Sequence, residues 1–234
     1  MKKISRLVPI GVQCRNAYQC RLNSDKFMLL KTKSGPFDWT ICYFQSLSKI
    51  ISEDINEKLI LNPIDSYINK YGSVTCGYSG IIFHHDLNPN FVKSFGEIKN
   101  QQVVSKMIET KQWSDAKSRF LHTLKNLVQT SKEEGNLYVR WKKDPSDEDA
   151  VKTYELLRSN KWLNNSGLLF VTTELVEGVK EPFKKPIKSI SKISNNCWDC
   201  VIKERKGFNG DQTQNFRGDE ASWESLFREI LNNS

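Results

Sequence analysis

The sequence predicts an α/β fold, a layered sandwich with a mainly parallel central sheet flanked by helices. Short apolar runs bounded by turn residues read as strands at 3–12, 136–141, 167–174 and 197–204. Segments of helical period stand between them, and strand–helix–strand alternation is the order that builds parallel sheets. "GLLFVTTE", at 167–174, is nearly all apolar, as a strand covered on both faces must be.

The elements follow in chain order. Residues 3–12 form the first strand, and 14–22 a short helix. "SGPFDW", at 34–39, is a turn punctuated by Gly35-Pro36 and anchored by Phe37 and Trp39. Ile41, Phe44, Leu47, Ile50 and Ile51 recur at helical spacing, giving a helix over 40–52 that closes at Glu53-Asp54. Segment 55–80 is mixed, with "NPIDSYINKYG" helical in part. One domain over 1–234 therefore carries a small helical subregion near 40–80. "SGIIFHHD" supplies a short buried strand, Ile81 to Phe83, ending at His84.

A long helix runs over 112–131, its buried stripe marked by Trp113, Ala116, Phe120, Leu121, Leu124, Leu127 and Val128. After the strand "NLYVRW", the acidic cluster of "DPSDEDAVKTYELLRSN" caps a helix reaching Asn160. "VKEPFKKPIKSISK", at 179–192, holds five lysines and two prolines and reads as a solvated loop. "CWDCVIKE" is the last strand and "GDEASWESLFREIL", at 218–231, a terminal helix.

Charge narrows the function classes. The chain has 234 residues and a net charge of +8, so its surface attracts anions. A small or polymeric substrate of phosphorylated or anionic character fits that balance. No helix is both basic and well delimited, so there is no clear nucleic-acid site. No apolar run approaches the roughly 20 residues of a membrane span. The basic start "MKKISRLVPIG" lacks a long apolar segment and reads as a strand, which leads us to expect a cytoplasmic protein. The six cysteines then default to reduced thiols. No dinucleotide or P-loop pattern occurs, and the lone "CWDC" lacks a second ligand pair, so neither cofactor nor metal is expected.

The chemistry-bearing residues gather after predicted strands, where open α/β sheets place their working groups. Cys14 follows the first strand at the start of a helix, a position that depresses a thiol pKa. His84 and His85 are adjacent, so only one can face a given site. Asp86 or Asp38 can orient such a histidine, and Gln13 and Asn16 flank Cys14 as oxyanion donors. Trp39, Arg119, Arg140 and Lys142 complete a candidate substrate-binding set. The same residues also read as packing: free cysteine is among the most buried types, and "HHD" can be a simple cap. His122, beside the apolar stripe of its helix, reads as structural.

"PIGVQC", "GPFDW", "FHHD", "SRFLHTL", "LYVRW", "GFNGD" and the closing "W..LF..I" occur in an order that resembles a bacterial and viral family labelled papain-like cysteine peptidases. The resemblance covers most of the chain. Segment 55–80 has no counterpart, and Phe208 stands where the family pattern has tryptophan. The resemblance implies Cys14 as nucleophile, His84 or His85 as base, and Asp38 or Asp86 in support. Family members look like accessory proteins of surface-polysaccharide loci. Three readings stand: a thiol-dependent hydrolase or acyl transferase using a Cys–His pair; a glycosyl- or phosphosugar transferase binding its donor through Arg119, Arg140 and Lys142; and a non-catalytic binding module.

Overall fold

The computed structural model describes residues 3–12, 14–38, 40–53, 61–96, 104–142, 149–206 and 218–233. Gln13, Trp39, residues 55–60, most of the acidic cluster at 144–149 and the "GFNGD" motif lie outside them. Among the described residues, seven α-helices and a five-stranded, mainly parallel sheet make an α/β fold.

Strands β1 (Arg6–Pro9), β4 (Asn136–Lys142), β5 (Gly167–Val176) and β7 (Cys197–Arg205) lie side by side in parallel. At the edge, β6 (Ile187–Ser194) runs antiparallel to β7. Alternation along the strands sends successive side chains to opposite faces. Val8, Tyr138, Leu168, Phe170 and Cys197 join one apolar cluster with Leu47 and Ile50 of α2 (Phe44–Ser52), five residues of α5 (Lys111–Ser131) and Leu157 of α6 (Asp149–Ser159). Leu7, Leu137, Val139, Leu169, Val171 and Trp198 join a second. That cluster includes Cys20 of α1 (Cys14–Lys26) and Trp223, Leu226, Phe227 and Ile230 of α7 (Glu220–Asn232). Helices thus bury apolar side chains against both faces, which explains why Leu168–Val171 of β5 are all apolar.

Several expectations change. The basic stretch read as a loop runs into β6, whose Ile187, Ile190 and Ile193 do not alternate at the strand period and whose pairing with β7 has two register shifts. Its lysines are what an exposed edge strand carries to avoid pairing with another chain. The part of 55–80 read as helical is a hairpin, with β2 (Tyr67–Ile68) antiparallel to β3 (Val74–Thr75). Asn69 closes it, its carbonyl oxygen on Oδ1 accepting from the Tyr71 and Ser73 amides, an Asx-type local bond that competes with helix. Residues 81–83 do not enter the central sheet: Ile82 makes isolated antiparallel bridges to Ile41 and Thr75. Helix α1 extends to Lys26, beyond the expected end, because its buried face is polar and has no apolar period to read: Asn16, Gln19, Asn23 and Ser24 are all enclosed. Two short helices, α3 (Pro89–Lys93) and α4 (Ser105–Ile108), escape the sequence reading.

Candidate functional site

Strand β1 hands the chain to α1 through Ile10 and Gly11. Gly11 has φ +98°, and a Cβ there would lie 3.0 Å from the Cys42 carbonyl oxygen and 3.1 Å from Arg140 Nη1. Only glycine meets both conditions. The exit is held from three sides. Arg140 Nη1 donates to the Ile10 carbonyl at 2.8 Å, Asn16 Nδ2 donates to the Gly11 and Val139 carbonyls at 2.9 and 2.5 Å, and the Cys42 amide donates to the Val12 carbonyl at 3.1 Å.

Cys14 is the first residue of α1 and the only cysteine of the six that is not buried; all six are free. The backbone amides of Cys14 and Arg15 and the Arg15 charge favour its thiolate, yet burial outweighs them and Asp38 adds to it, so the thiol is held above its ordinary value. This corrects the expectation of a depressed pKa. A helix start stabilises a thiolate by partial charges, and that gain is smaller than the loss of solvent around the sulfur.

Asp38 ends a single 3₁₀ turn, Pro36–Asp38, and its side chain is fully enclosed. Oδ2 accepts from Arg21 Nη2 and, at 3.0 Å, from the Gly35 amide, while Oδ1 is buried without a hydrogen-bond partner. Desolvation dominates over Arg21 and Gly35 and pushes the carboxyl to about 6. Arg21 escaped the sequence reading, although its spacing from Cys14 (i, i+7) puts both on one side of α1.

The Ile41–Ile82 bridge is antiparallel, so the chain before Ile41 and the chain after Ile82 leave it at the same end. The "GPFDW" turn and "FHHD" are therefore neighbours, and Pro36, Thr40, Phe83, Asp86 and Arg119 line one small cavity. Both histidines are exposed, with ring centroids 5.6 Å apart. His84 Nδ1 lies 3.4 Å from Ser73 Oγ. Partial desolvation and His84 together lower the His85 pKa against the pull of Asp86, which keeps that imidazole neutral near pH 7. Cys14 makes no hydrogen bond to either histidine; the charges acting on it are those of Arg15 and Asp38.

Other expected roles move. Asp86 pairs with Arg119, so its carboxylate is engaged by a guanidinium and not by an imidazole. Asn16 is fully buried and donates to main-chain carbonyls, which makes it a clamp on the strand exit and removes it as an oxyanion donor. Arg140 is 1% exposed and bonded to Ile10. Lys142, equally enclosed, pairs with Asp199 at 2.7 Å and sits over the Phe170 ring. Both cations are enclosed and engaged within the fold. His122, on α5, lies with Nε2 3.3 Å from Asn126 Nδ2. Cys197 and Cys200 of "CWDC" lie in β7 at odd spacing, so their sulfurs enter opposite apolar clusters and cannot share a metal or disulfide. Burial raises each to about 12. Among the described residues, no group of three His, Cys, Asp or Glu is placed to hold a metal, and no helix is long and apolar enough to cross a membrane.

No family model matches the chain, and neither a curated protein nor a solved structure is significantly similar to it.

Proposed function

We propose that the protein is a thiol-dependent hydrolase or acyl transferase with Cys14 as nucleophile, built on a layered α/β/α sandwich and working in the cytoplasm, where its thiols stay reduced. One observation carries the reading: of six cysteines, the one left accessible stands at the first residue of the helix after β1, with two backbone amides directed at its sulfur. The resemblance to papain-like cysteine peptidases supports the same nucleophile.

The raised thiol pKa makes the resting group a thiol, so attack needs a base to take the proton. His85, kept neutral, suits that role better than His84, which sits beside Ser73. Sulfur adds to the substrate carbonyl, the carbonyl electron pair moves to oxygen, and the helix-start amides face the resulting charge. Collapse expels the leaving group, which takes the proton from the imidazolium. Water or an acceptor hydroxyl or amine then cleaves the thioester and restores the thiol. Sugar transfer through Arg140 and Lys142 loses its support, because both cations are enclosed and committed.

The test is a panel of activated acyl esters, thioesters and peptides assayed on wild type, Cys14→Ser and His85→Gln. We expect turnover of at least one class, its loss in Cys14→Ser, and a fall of about 100-fold or more in His85→Gln. Turnover that survives in Cys14→Ser refutes the proposal, as does a full panel without any turnover.

A further inference from the structure

A second site stands at the opposite end of the sheet from Cys14. Helix α6, the turn before β5 and the turn between β6 and β7 enclose an open cleft of about 300 Å³ at the amino ends of β5 and β7 and the carboxyl end of β6. That volume is at the lower end of the range for small-molecule sites, enough for one ring. Tyr154 and Arg158, one helical turn apart (i, i+4), face it from α6. Asn164 contributes from the turn before β5, and Ser194, Asn195 and Asn196 from the hairpin turn.

The chemistry of the lining selects a ligand class. Six polar side chains converge, and none of them is tied by a hydrogen bond or ion pair to another described residue. Three are carboxamides, each offering donors and an acceptor at once, the pattern that matches adjacent hydroxyls. Tyr154 adds an aromatic body with a polar tip. Arg158 is the only charged group among the described lining residues and presents a planar fork suited to a carboxylate or phosphate. Exposed amides alone would be an ordinary wet surface. Their convergence with an unpaired guanidinium in one concavity is what distinguishes this place from the rest of the surface.

We infer that this cleft binds a hydroxylated sugar ring bearing one acidic group, with Arg158 on the acid and Asn164, Asn195 and Asn196 on the hydroxyls. The inference does not depend on the role of Cys14, since the two places lie at opposite ends of the strands.

The experiment is calorimetric titration of the full chain with glucuronate, glucose 6-phosphate, glucose and inorganic phosphate. We expect saturable binding of at least one acidic sugar, and the stronger of the two identifies the acid as carboxylate or phosphate. Glucose should bind more weakly. Arg158→Ala, a change at an exposed side chain, should weaken the acidic sugar by about tenfold or more, because it removes a charge-assisted hydrogen-bonded pair. Asn164→Ala should weaken acidic sugar and glucose alike, and Cys14→Ala should change neither. The inference is overturned if neither acidic sugar saturates, if Arg158→Ala leaves its affinity unchanged, or if inorganic phosphate binds as tightly as glucose 6-phosphate.

Discussion

Replacing Asp38 by asparagine isolates the cost of a buried carboxylate. In the folded protein the group titrates near 6 instead of 3.8. The folded state therefore holds its proton to higher pH than the unfolded chain does. Stability from this group is complete below 3.8 and is lost as pH rises through about 6, after which the loss is constant. A displacement of that size is worth about 3 kcal/mol. Burial prevails because the side chain is fully enclosed with Oδ1 unpartnered, while Arg21, on the other side of the pair, is 38% exposed and so partly screened by solvent. Asparagine keeps the shape and cannot ionise. Urea unfolding of wild type and Asp38→Asn from about pH 3.5 to 7.5 gives the difference between two stability curves. We expect wild type to lose about 3 kcal/mol relative to the variant across that interval. Parallel curves would refute the reasoning, because they would mean that the carboxylate is solvated or fully compensated.

Three further outcomes follow from the same geometry. Alkylation of the native protein, read by peptide mass spectrometry, should modify Cys14 before the other five thiols, with a midpoint above the ordinary 9.0. Asp38→Asn should lower that midpoint by removing a negative charge, and a wild-type midpoint below 9.0 contradicts the burial argument. Asp219→Ala should cost about 4 kcal/mol in urea unfolding by stranding Arg205, whose Nε donates to Asp219 at 2.6 Å with both side chains enclosed; the paired change Arg205→Met/Asp219→Leu should cost far less. Gly77→Ala should destabilise by about 3 kcal/mol, since the new Cβ would lie 2.1 Å from the Asp65 carbonyl oxygen and force the hairpin base apart; an unchanged urea midpoint would count against that geometry.

The parallel strands were legible because each carries a short apolar or aromatic run, Leu137–Val139 in β4 and Leu168–Val171 in β5, and α5 because its apolar stripe repeats over many turns. The edge strand was not, since a lysine-rich strand with register shifts has no clean alternation. Within the site, the strand-to-helix placement of Cys14 was readable from "PIGVQC", and so was the turn carrying Asp38. The partners were not readable. Arg21 with Asp38, Arg119 with Asp86 and Lys142 with Asp199 are long-range pairs between elements whose packing no local pattern encodes. Sign and spacing alone made Arg140 and Lys142 resemble substrate ligands, and only their burial reassigns them.

Helix α1 carries little apolar surface, so its position depends on polar locks along its length. Asn16 joins it to the main chains of Gly11 and Val139, and Arg21 joins it to the 3₁₀ turn through Asp38. At its first turn, Arg15 reaches the other end of the chain: Nη1 donates to Glu204 Oε2 at 2.8 Å, and Glu204 Oε1 accepts from Trp223 Nε1 at 2.7 Å. Glu204 is nearly fully enclosed, and the next residue, Arg205, is bound to Asp219 before α7 begins. The C-terminal helix is thus wired to the turn that presents Cys14. Hydrogen bonds fix both distance and angle, which apolar contacts do not. An α1 held this way has little freedom to slide along the sheet, which is the mechanical requirement of the proposed attack by Cys14 on a carbonyl at fixed distance and angle.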